Sequence, residues 1–244
     1  TYYAKKNNIK REDIFSVSVM PCSAKKYETK RPELGDDVDV SITTVELAEM
    51  IKQAGIDFVS LPDEEFDEVL GDASGAGVIF GNTGGVMEAA LRTIYELMTG
   101  EGLEDVKFNA VRGLKGVKEA TVKINDLDIK VAVAHGTKNI KSLLNAIRAG
   151  EKEYHFIEVM ACPGGCINGG GQPPITNEEI MTYGDHRLLR AKAIYEEDEA
   201  NTIRKSHENP SITKIYDEFL GKPGGHKSHE LLHTTYVKRG KYHY

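Results

Sequence analysis

The sequence between residues 157 and 173, IEVMACPGGCINGGGQP, determines how the rest of the chain is interpreted. Its apolar start predicts a buried strand. Cys162 and Cys166 follow, separated by three residues, and then the triple glycine 169–171. Thiolates at this spacing can both reach one soft metal centre, and glycine backbone can approach a bulky group because it carries no Cβ. The stretch therefore predicts a metal-binding loop; the alternative is a pair of buried, inert cysteines beside a glycine-rich turn.

The third cysteine of the chain, Cys22, ends a similar phrase. VMPC at 19–22 parallels VMAC at 159–162, and both follow short apolar runs. Two strands are thus predicted to deliver a cysteine to one place. Three cysteines cannot all pair among themselves, and a disulfide framework is not expected in a chain of 244 residues. Free thiols fit a reducing compartment, so we expect a cytoplasmic protein.

These cysteine phrases carry a family resemblance. MPCSAKKYE (20–28) and EVMACPGGCINGGGQP (158–173) resemble two of the three signature segments of the FeFe-hydrogenases, in that family's order and rough spacing. FGNTGGVMEAALRT (80–93) and LLHTTY (231–236) are also similar to it. The family's first signature, Thr-Ser-Cys-Cys-Pro, is absent. The resemblance implies the C-terminal portion of a hydrogenase catalytic subunit, with residues 1–200 in the cluster-binding domain and residues 201–244 as a fused small-subunit-like tail.

The expected fold class is α/β, with a parallel-rich sheet flanked by helices, forming one lobe of the cluster-binding domain, and a helical C-terminal wrap. Thr43 or Thr44 is predicted to cap a helix with Glu46 close behind. The run 196–199 is predicted to be a solvated acidic surface. Other predictions are strands at 78–80, 107–111, 120–124 and 129–134, the last two as a hairpin, and helices at 62–70, 86–98, from 137, 176–200 and after Pro210.

The resemblance implies a metal centre held by all three cysteines. In the family, the residues matching Cys22 and Cys162 ligate a 4Fe-4S cluster. The residue matching Cys166 ligates it too, and its sulfur bridges to a di-iron unit that carries CO, cyanide and a bridging dithiolate. A cubane needs four thiolates, so the fourth would come from an upstream segment of the same subunit, as would the start of the proton relay.

The resemblance also assigns neighbours of the cysteines. Lys25 would donate a charge-assisted hydrogen bond to a cyanide ligand, and Glu28 would hold Lys25 by a salt bridge. Without the motif, Lys25 is an ordinary surface lysine. Four further residues would line the di-iron pocket and keep it dry: Met20, Pro21, Phe80 and Met160.

The implied function is reversible heterolytic oxidation of dihydrogen, with electrons exchanged with ferredoxin, with NAD(P)H through partner subunits, or with both, and with maturation proteins inserting the metal cofactor. The net charge of −7 argues against nucleic-acid binding, and no apolar run is long enough for a membrane span. Two other functions remain open. One is a hydrogenase-like iron–sulfur protein without the di-iron unit, serving cluster assembly or sensing; the other is a structural zinc module.

Two weaker site signals accompany these. The glycine-rich loop 81–85 is a possible anion cradle, although it lacks the Lys-Ser/Thr of a P-loop. Four histidines of the tail weakly suggest zinc: His226, His229, His233 and His243.

Overall fold

The structure, a computed structural model, describes residues 1–64, 67, 70–103 and 105–240. Its strands are β1 Val17–Met20, β2 Val40–Thr43, β3 Val117–Ile124, β4 Leu127–His135 and β5 Phe156–Met160. Its α-helices are α1 Tyr2–Lys6, α2 Lys25–Glu28, α3 Thr44–Gln53, α4 Gly75–Val78, α5 Gly85–Thr99, α6 Thr137–Arg148, α7 Asn177–Tyr183, α8 His186–Ala200, α9 Pro210–Ile215 and α10 His226–Leu232.

Strand β4 lies at the centre because helices cover both of its faces. Side chains alternate along a strand, so Val131 and Val133 pack against α5, while Ala132 and Ala134 pack against α6. All four are fully buried. This burial fixes the position of His135, the last residue of the strand, at the edge where the metal-binding loop was predicted.

Parallel pairing joins strands in both sheets. β1 pairs with β2 in a two-stranded parallel sheet, and β4 pairs with β5 in parallel across the α6 crossover. β3 and β4 form the predicted antiparallel hairpin, whose turn places Asn125 at φ +53°. The α/β fold with parallel strands is therefore confirmed, with one antiparallel hairpin added to it.

Helix α5 carries a buried ion network that hydrophobic periodicity did not predict. Arg92 is completely buried and donates to Asp198 at 2.7 and 2.9 Å and to Glu88 at 2.8 Å. Arg112 and Arg204 supply the remaining positive charge, at 2.6 Å from Glu88 and Asp198 respectively. Asp198 belongs to the run that we expected to be solvated. That expectation is wrong at this position, because α8 turns Asp198 inward onto α5.

Two predicted strands are not strands in the structure. Residues 78–80 end helix α4 and begin a 3-10 turn, because the Ser74 side chain accepts the Gly77 N–H and starts a helix upstream. Residues 107–111 are irregular and end in a 3-10 turn, Asn109–Val111. Of the predicted helix 62–70, residues 65, 66, 68 and 69 lie outside the described ones, and residues 62–64 are not helical.

Several local predictions are confirmed. Thr43 caps α3 in a capping box with Glu46. The helix predicted after Pro210 forms as α9, and the Asn209 side chain caps it. The helix predicted over 176–200 forms as two helices, because Gly184 interrupts it at φ +80°. No helix among the described residues is long and apolar enough to cross a membrane.

The tail contacts the rest of the chain mainly through polar groups. His207 and Lys205 both bond Glu96 on α5. Arg31 donates to the Thr235 carbonyl at 2.8 Å, and its guanidinium lies over the Tyr236 ring. The tail is thereby attached both to α5 and to the segment that follows α2.

Candidate metal centre

Two strands of different sheets lead into the two cysteine loops. β1 ends at Met20, two residues before Cys22, and β5 ends at Met160, two residues before Cys162. The loops are joined directly, since the Gly171 N–H donates to the Pro21 carbonyl at 3.0 Å. The two cysteine loops therefore meet in the structure, as the sequence predicted.

The triple glycine makes this meeting possible. A Cβ added to Gly169 would lie 2.0 Å from the Pro21 oxygen, and one added to Gly171 would lie 2.8 Å from the Cys22 nitrogen. Two of the three glycines, Gly169 and Gly171, therefore let one cysteine loop approach the backbone of the other.

The loop between Cys162 and Cys166 is held by the segment that follows α4. Gly165 has φ +99°, and a Cβ there would lie 2.7 Å from both the Gly81 oxygen and the Thr83 nitrogen. The Thr83 N–H donates to the Gly164 carbonyl at 3.1 Å. The glycine-rich loop 81–85 thus packs against the cysteine loop.

His135 supports the same loop from the end of β4. Its Nδ1 accepts the Gly164 N–H at 3.1 Å, and its Nε2 lies 3.2 Å from the Leu114 carbonyl. These partners assign the proton to Nε2. Burial lowers the pKa of His135, which favours this neutral form. His135 is therefore a hydrogen-bonded structural residue.

Sequence reasoning missed a pair of buried charges on the α5 side of the sheet. Glu158 accepts the N–H groups of Gly84 at 2.6 Å and Met87 at 2.7 Å, at the N-terminus of α5, where a carboxylate complements the helix dipole. Burial raises its pKa, and those donors oppose the rise. Lys118 donates to the Thr83 carbonyl at 2.9 Å, and burial lowers its pKa to about 8. A charged residue inside the apolar run 156–160 was the available signal for Glu158.

The thiols influence one another electrostatically. Burial raises the pKa of the Cys166 thiol, although the residue itself is exposed. Cys162 and Cys22 raise it further, and Lys25 lowers it. The structure therefore brings together the three predicted metal ligands and Lys25, although they come from segments about 140 residues apart.

The remaining predicted site residues lie along the same two loops, with one exception. Lys25 and Glu28 form an ion pair on α2, three residues after Cys22. Phe80 lies in the neighbouring segment, next to Gly81, and is 46% exposed. The other three are partly buried and lie within two residues of a cysteine: Met20, Pro21 and Met160.

The donor set fits a cluster better than a single ion. Three thiols and no carboxylate or imidazole ligand are typical of iron–sulfur ligation. The three sulfurs are not all within 4.8 Å of one another, whereas one tetrahedral zinc with bonds of about 2.3 Å would hold its sulfurs roughly 3.8 Å apart. The spacing of the three sulfurs therefore does not match a preformed tetrahedral zinc site.

One group in the described part of the chain has its possible ligand atoms within 4.8 Å of one another: Glu96, His207 and Glu208. Lys205 and His207 already bond both carboxylate oxygens of Glu96. This group is therefore a charge-paired contact of the tail. In the described part of the tail, His226, His229 and His233 do not form such a group, and His243 lies outside the described residues.

Comparison with known proteins gives two family matches and close relatives. Residues 1–170 match the iron only hydrogenase large subunit, C-terminal domain, and residues 184–239 match the iron hydrogenase small subunit. The chain is 55% identical to the NADP-reducing hydrogenase subunit HndD of Solidesulfovibrio fructosivorans, over 98% of this chain and 40% of that protein. It aligns with a variant of FeFe-hydrogenase HydA1 from Chlamydomonas reinhardtii at a TM-score of 0.78 and 42% identity, covering 97% of this chain and 66% of that one.

The name of a more distant relative states a different role. The cytosolic Fe-S cluster assembly factor narfl of Xenopus tropicalis is 31% identical over 97% of this chain and 50% of that protein. The chain spans half or less of the length of these curated relatives.

Proposed function

The chain belongs to the iron-only hydrogenase family, and from this we propose that it supplies most of the active site for reversible heterolytic oxidation of dihydrogen. The observation that carries the proposal is the direct packing of the Cys22 loop against the loop of Cys162 and Cys166. We further propose that residues 1–200 belong to the cluster-binding domain and that residues 201–244 form the small-subunit-like tail.

Three thiolates of this chain would hold a 4Fe-4S cluster, with Cys22 and Cys162 as simple ligands. Cys166 would also bridge the cluster to a di-iron unit with CO, cyanide and a bridging dithiolate. When bound, that cofactor supplies the open iron position at which dihydrogen is split and the path by which electrons leave. The exposed position of Cys166 supports its role as bridge, because its sulfur needs a second metal partner on the open side.

Lys25 would orient the di-iron unit. Its ammonium lies near enough to Cys166 to influence the thiol electrostatically, and Glu28 restrains it by their ion pair. An ammonium donor facing a cyanide makes a charge-assisted hydrogen bond. The neighbouring apolar residues would exclude water from the same pocket: Met20, Pro21, Phe80 and Met160.

The partners follow from the same assignment. An upstream segment of the subunit would supply the fourth thiolate and the first proton acceptor. Ferredoxin, NAD(P)H-linked partner subunits or both would exchange electrons, and maturation proteins would insert the di-iron unit. The similarity to a subunit named as NADP-reducing supports a multi-subunit electron path. We propose a cytoplasmic location; periplasmic recovery of the protein after cell fractionation would contradict it.

The test compares Cys166→Ala with Cys22→Ala in the full-length protein, matured anaerobically. We expect Cys166→Ala to lose dihydrogen turnover and the infrared bands of bound CO and cyanide. Cys22→Ala should mainly lose cubane iron and its visible absorption. Full turnover in matured Cys166→Ala would refute the bridging role.

The second candidate is an assembly or sensing protein that binds the cubane without the di-iron unit, and the narfl similarity supports it. Such a protein has no use for a cyanide-facing lysine. Infrared spectroscopy separates the two functions. Brown protein without CO and cyanide bands, after co-expression with competent maturation proteins, would favour assembly or sensing over catalysis.

A further inference from the structure

His135 connects β4, the most buried strand among the described residues, to the cysteine loop. It is 4% exposed and ends β4, whose preceding residues are fully buried. Its backbone N–H donates to the Gly116 carbonyl at 3.0 Å, and its carbonyl accepts the Asn139 side chain at 2.8 Å. The imidazole is therefore held at both its backbone and its ring, and it has little freedom to follow movements of the loop.

The ring holds the N–H of the first of two adjacent glycines in the cysteine loop. Gly164 and Gly165 have φ values of +90° and +99°, and glycine peptides reorient at low cost because no Cβ restricts them. Gly164 is buried, so its N–H would lack a partner if His135 did not accept it, and a buried unpaired donor costs about 1–3 kcal/mol. Without the ring acceptor, the peptide has a reason to rotate.

The direction of that rotation matters for chemistry. Gly164 lies midway between Cys162 and Cys166, so a rotation of its peptide changes how its N–H faces the sulfurs of these two residues. Hydrogen bonds to cluster sulfurs are among the terms that set a cluster's reduction potential. Keeping this N–H on a histidine keeps it away from the thiolates.

We propose that His135 is a positioning residue for the metal centre, which fixes the Gly164 peptide through Nδ1 and thereby sets both the spacing of Cys162 and Cys166 and the potential of the cluster they hold. This inference rests on the proposed function, since it needs a cluster on these two thiolates. It concerns the orientation of one peptide, and the ring does not touch the reacting atoms.

Two amide variants test separately the two hydrogen bonds that the imidazole ring makes. The Oδ1 of His135→Asn can occupy the place of Nδ1 and accept the Gly164 N–H, while its short side chain loses the Leu114 carbonyl. His135→Gln reaches the Leu114 carbonyl and places no acceptor at Nδ1. The matched control is His155→Gln, because the His155 Nδ1 also accepts a backbone N–H, from Lys130 at 3.0 Å, at the far end of β5 and exposed to solvent.

The experiment measures iron retention against a chelator and the cubane midpoint potential by redox-monitored electron paramagnetic resonance, in the full-length protein. We expect His135→Gln to retain iron about tenfold less tightly, as for other outer partners of metal ligands. Its potential should shift to a more positive value, because an added N–H···S bond stabilises the reduced cluster. His135→Asn and His155→Gln should match the wild type.

Each other outcome is decisive. Wild-type behaviour of His135→Gln overturns the inference, and so do equal losses in both His135 variants, since the ring as a whole would then matter rather than its Nδ1 acceptor. If the wild-type protein itself holds no cubane under the same conditions, the proposed function fails, and this inference fails with it. If the wild-type protein holds its cubane and His135→Gln behaves like the wild type, this inference fails while the proposed function stands.

Discussion

Replacing Gly169 with alanine is expected to separate the two cysteine loops. The added Cβ would lie 2.0 Å from the Pro21 oxygen, and ordinary contact begins at 3.4 Å, so the loops must move apart by about 1.4 Å, the difference of those distances. Gly169 has φ −70° and ψ 156°, which alanine adopts without strain. The perturbation is therefore purely one of space, and it falls on backbone atoms that cannot rotate away.

This displacement exceeds what a metal site tolerates, since ligand distances hold within about 0.2 Å. We expect Gly169→Ala to lose most of its cubane iron after anaerobic reconstitution and to unfold with a free energy lower by about 1–3 kcal/mol, as for other overpacked sites. The assays are iron and sulfide per chain, and urea unfolding.

The neighbouring glycine provides the control. A Cβ on Gly170 has the Ser23 Oγ as its nearest atom, at 3.1 Å, and a serine hydroxyl can turn aside. Gly170→Ala should therefore retain its iron. If Gly169→Ala and Gly170→Ala bind equal iron and unfold at equal free energy, the triple glycine does not join the loops in the way described.

Three further predictions concern charged groups. Lys25→Met should reduce the infrared bands of bound CO and cyanide. The control is Lys26→Met, which should leave these bands unchanged because the Lys26 ammonium pairs with Glu46. Equal loss of the bands in both variants would remove Lys25 from the site. Asp198→Asn should lower the free energy of unfolding at neutral pH by about 3–5 kcal/mol, because it leaves buried arginine charge uncompensated. Burial raises the pKa of Asp198, but the hydrogen bonds from the arginines outweigh burial and leave the pKa below its usual value. The wild type should therefore lose its stability advantage over the variant as the pH falls below about 4 in urea titrations. A stability difference that does not depend on pH would contradict this. Glu96→Gln should make the tail after residue 200 more sensitive to limited proteolysis, because Glu96 holds Lys205 and His207 of the tail as a carboxylate. Burial raises the pKa of Glu96, but its hydrogen bonds outweigh burial and lower the pKa to about 2. Unchanged cleavage would show that other contacts hold the tail.

The sequence predicted the parts of the site that have local chemical identity. The paired Val-Met-x-Cys phrases located Cys22 and Cys162, and the spacing to Cys166 indicated a shared metal. The helix cap at Thr43 or Thr44 and the hairpin of strands 120–124 and 129–134 were also predicted, and the structure has the cap at Thr43 and the hairpin of β3 and β4. These features depend on a few neighbouring residues, and the sequence gives their spacing directly.

The errors came from residues whose environment is set by distant segments. Asp198 looked solvated within an acidic run, yet α8 packs it against Arg92, more than 100 residues away in sequence. Residues 78–80 looked like a buried strand because apolar runs do not distinguish a strand from a short buried helix. In both cases the tertiary partner, which local pattern does not contain, decided the outcome.

The sequence by itself determined which atoms are available to the centre: three thiols, one nearby ammonium and a loop rich in glycine. Only the tertiary structure decided what holds them in place, because the Gly164 N–H finds its acceptor on β4 and the triple glycine finds its contact on the Cys22 loop. Hydrogen-bond partners and steric fit between segments distant along the chain are properties of three-dimensional packing, and the order of residues does not state them.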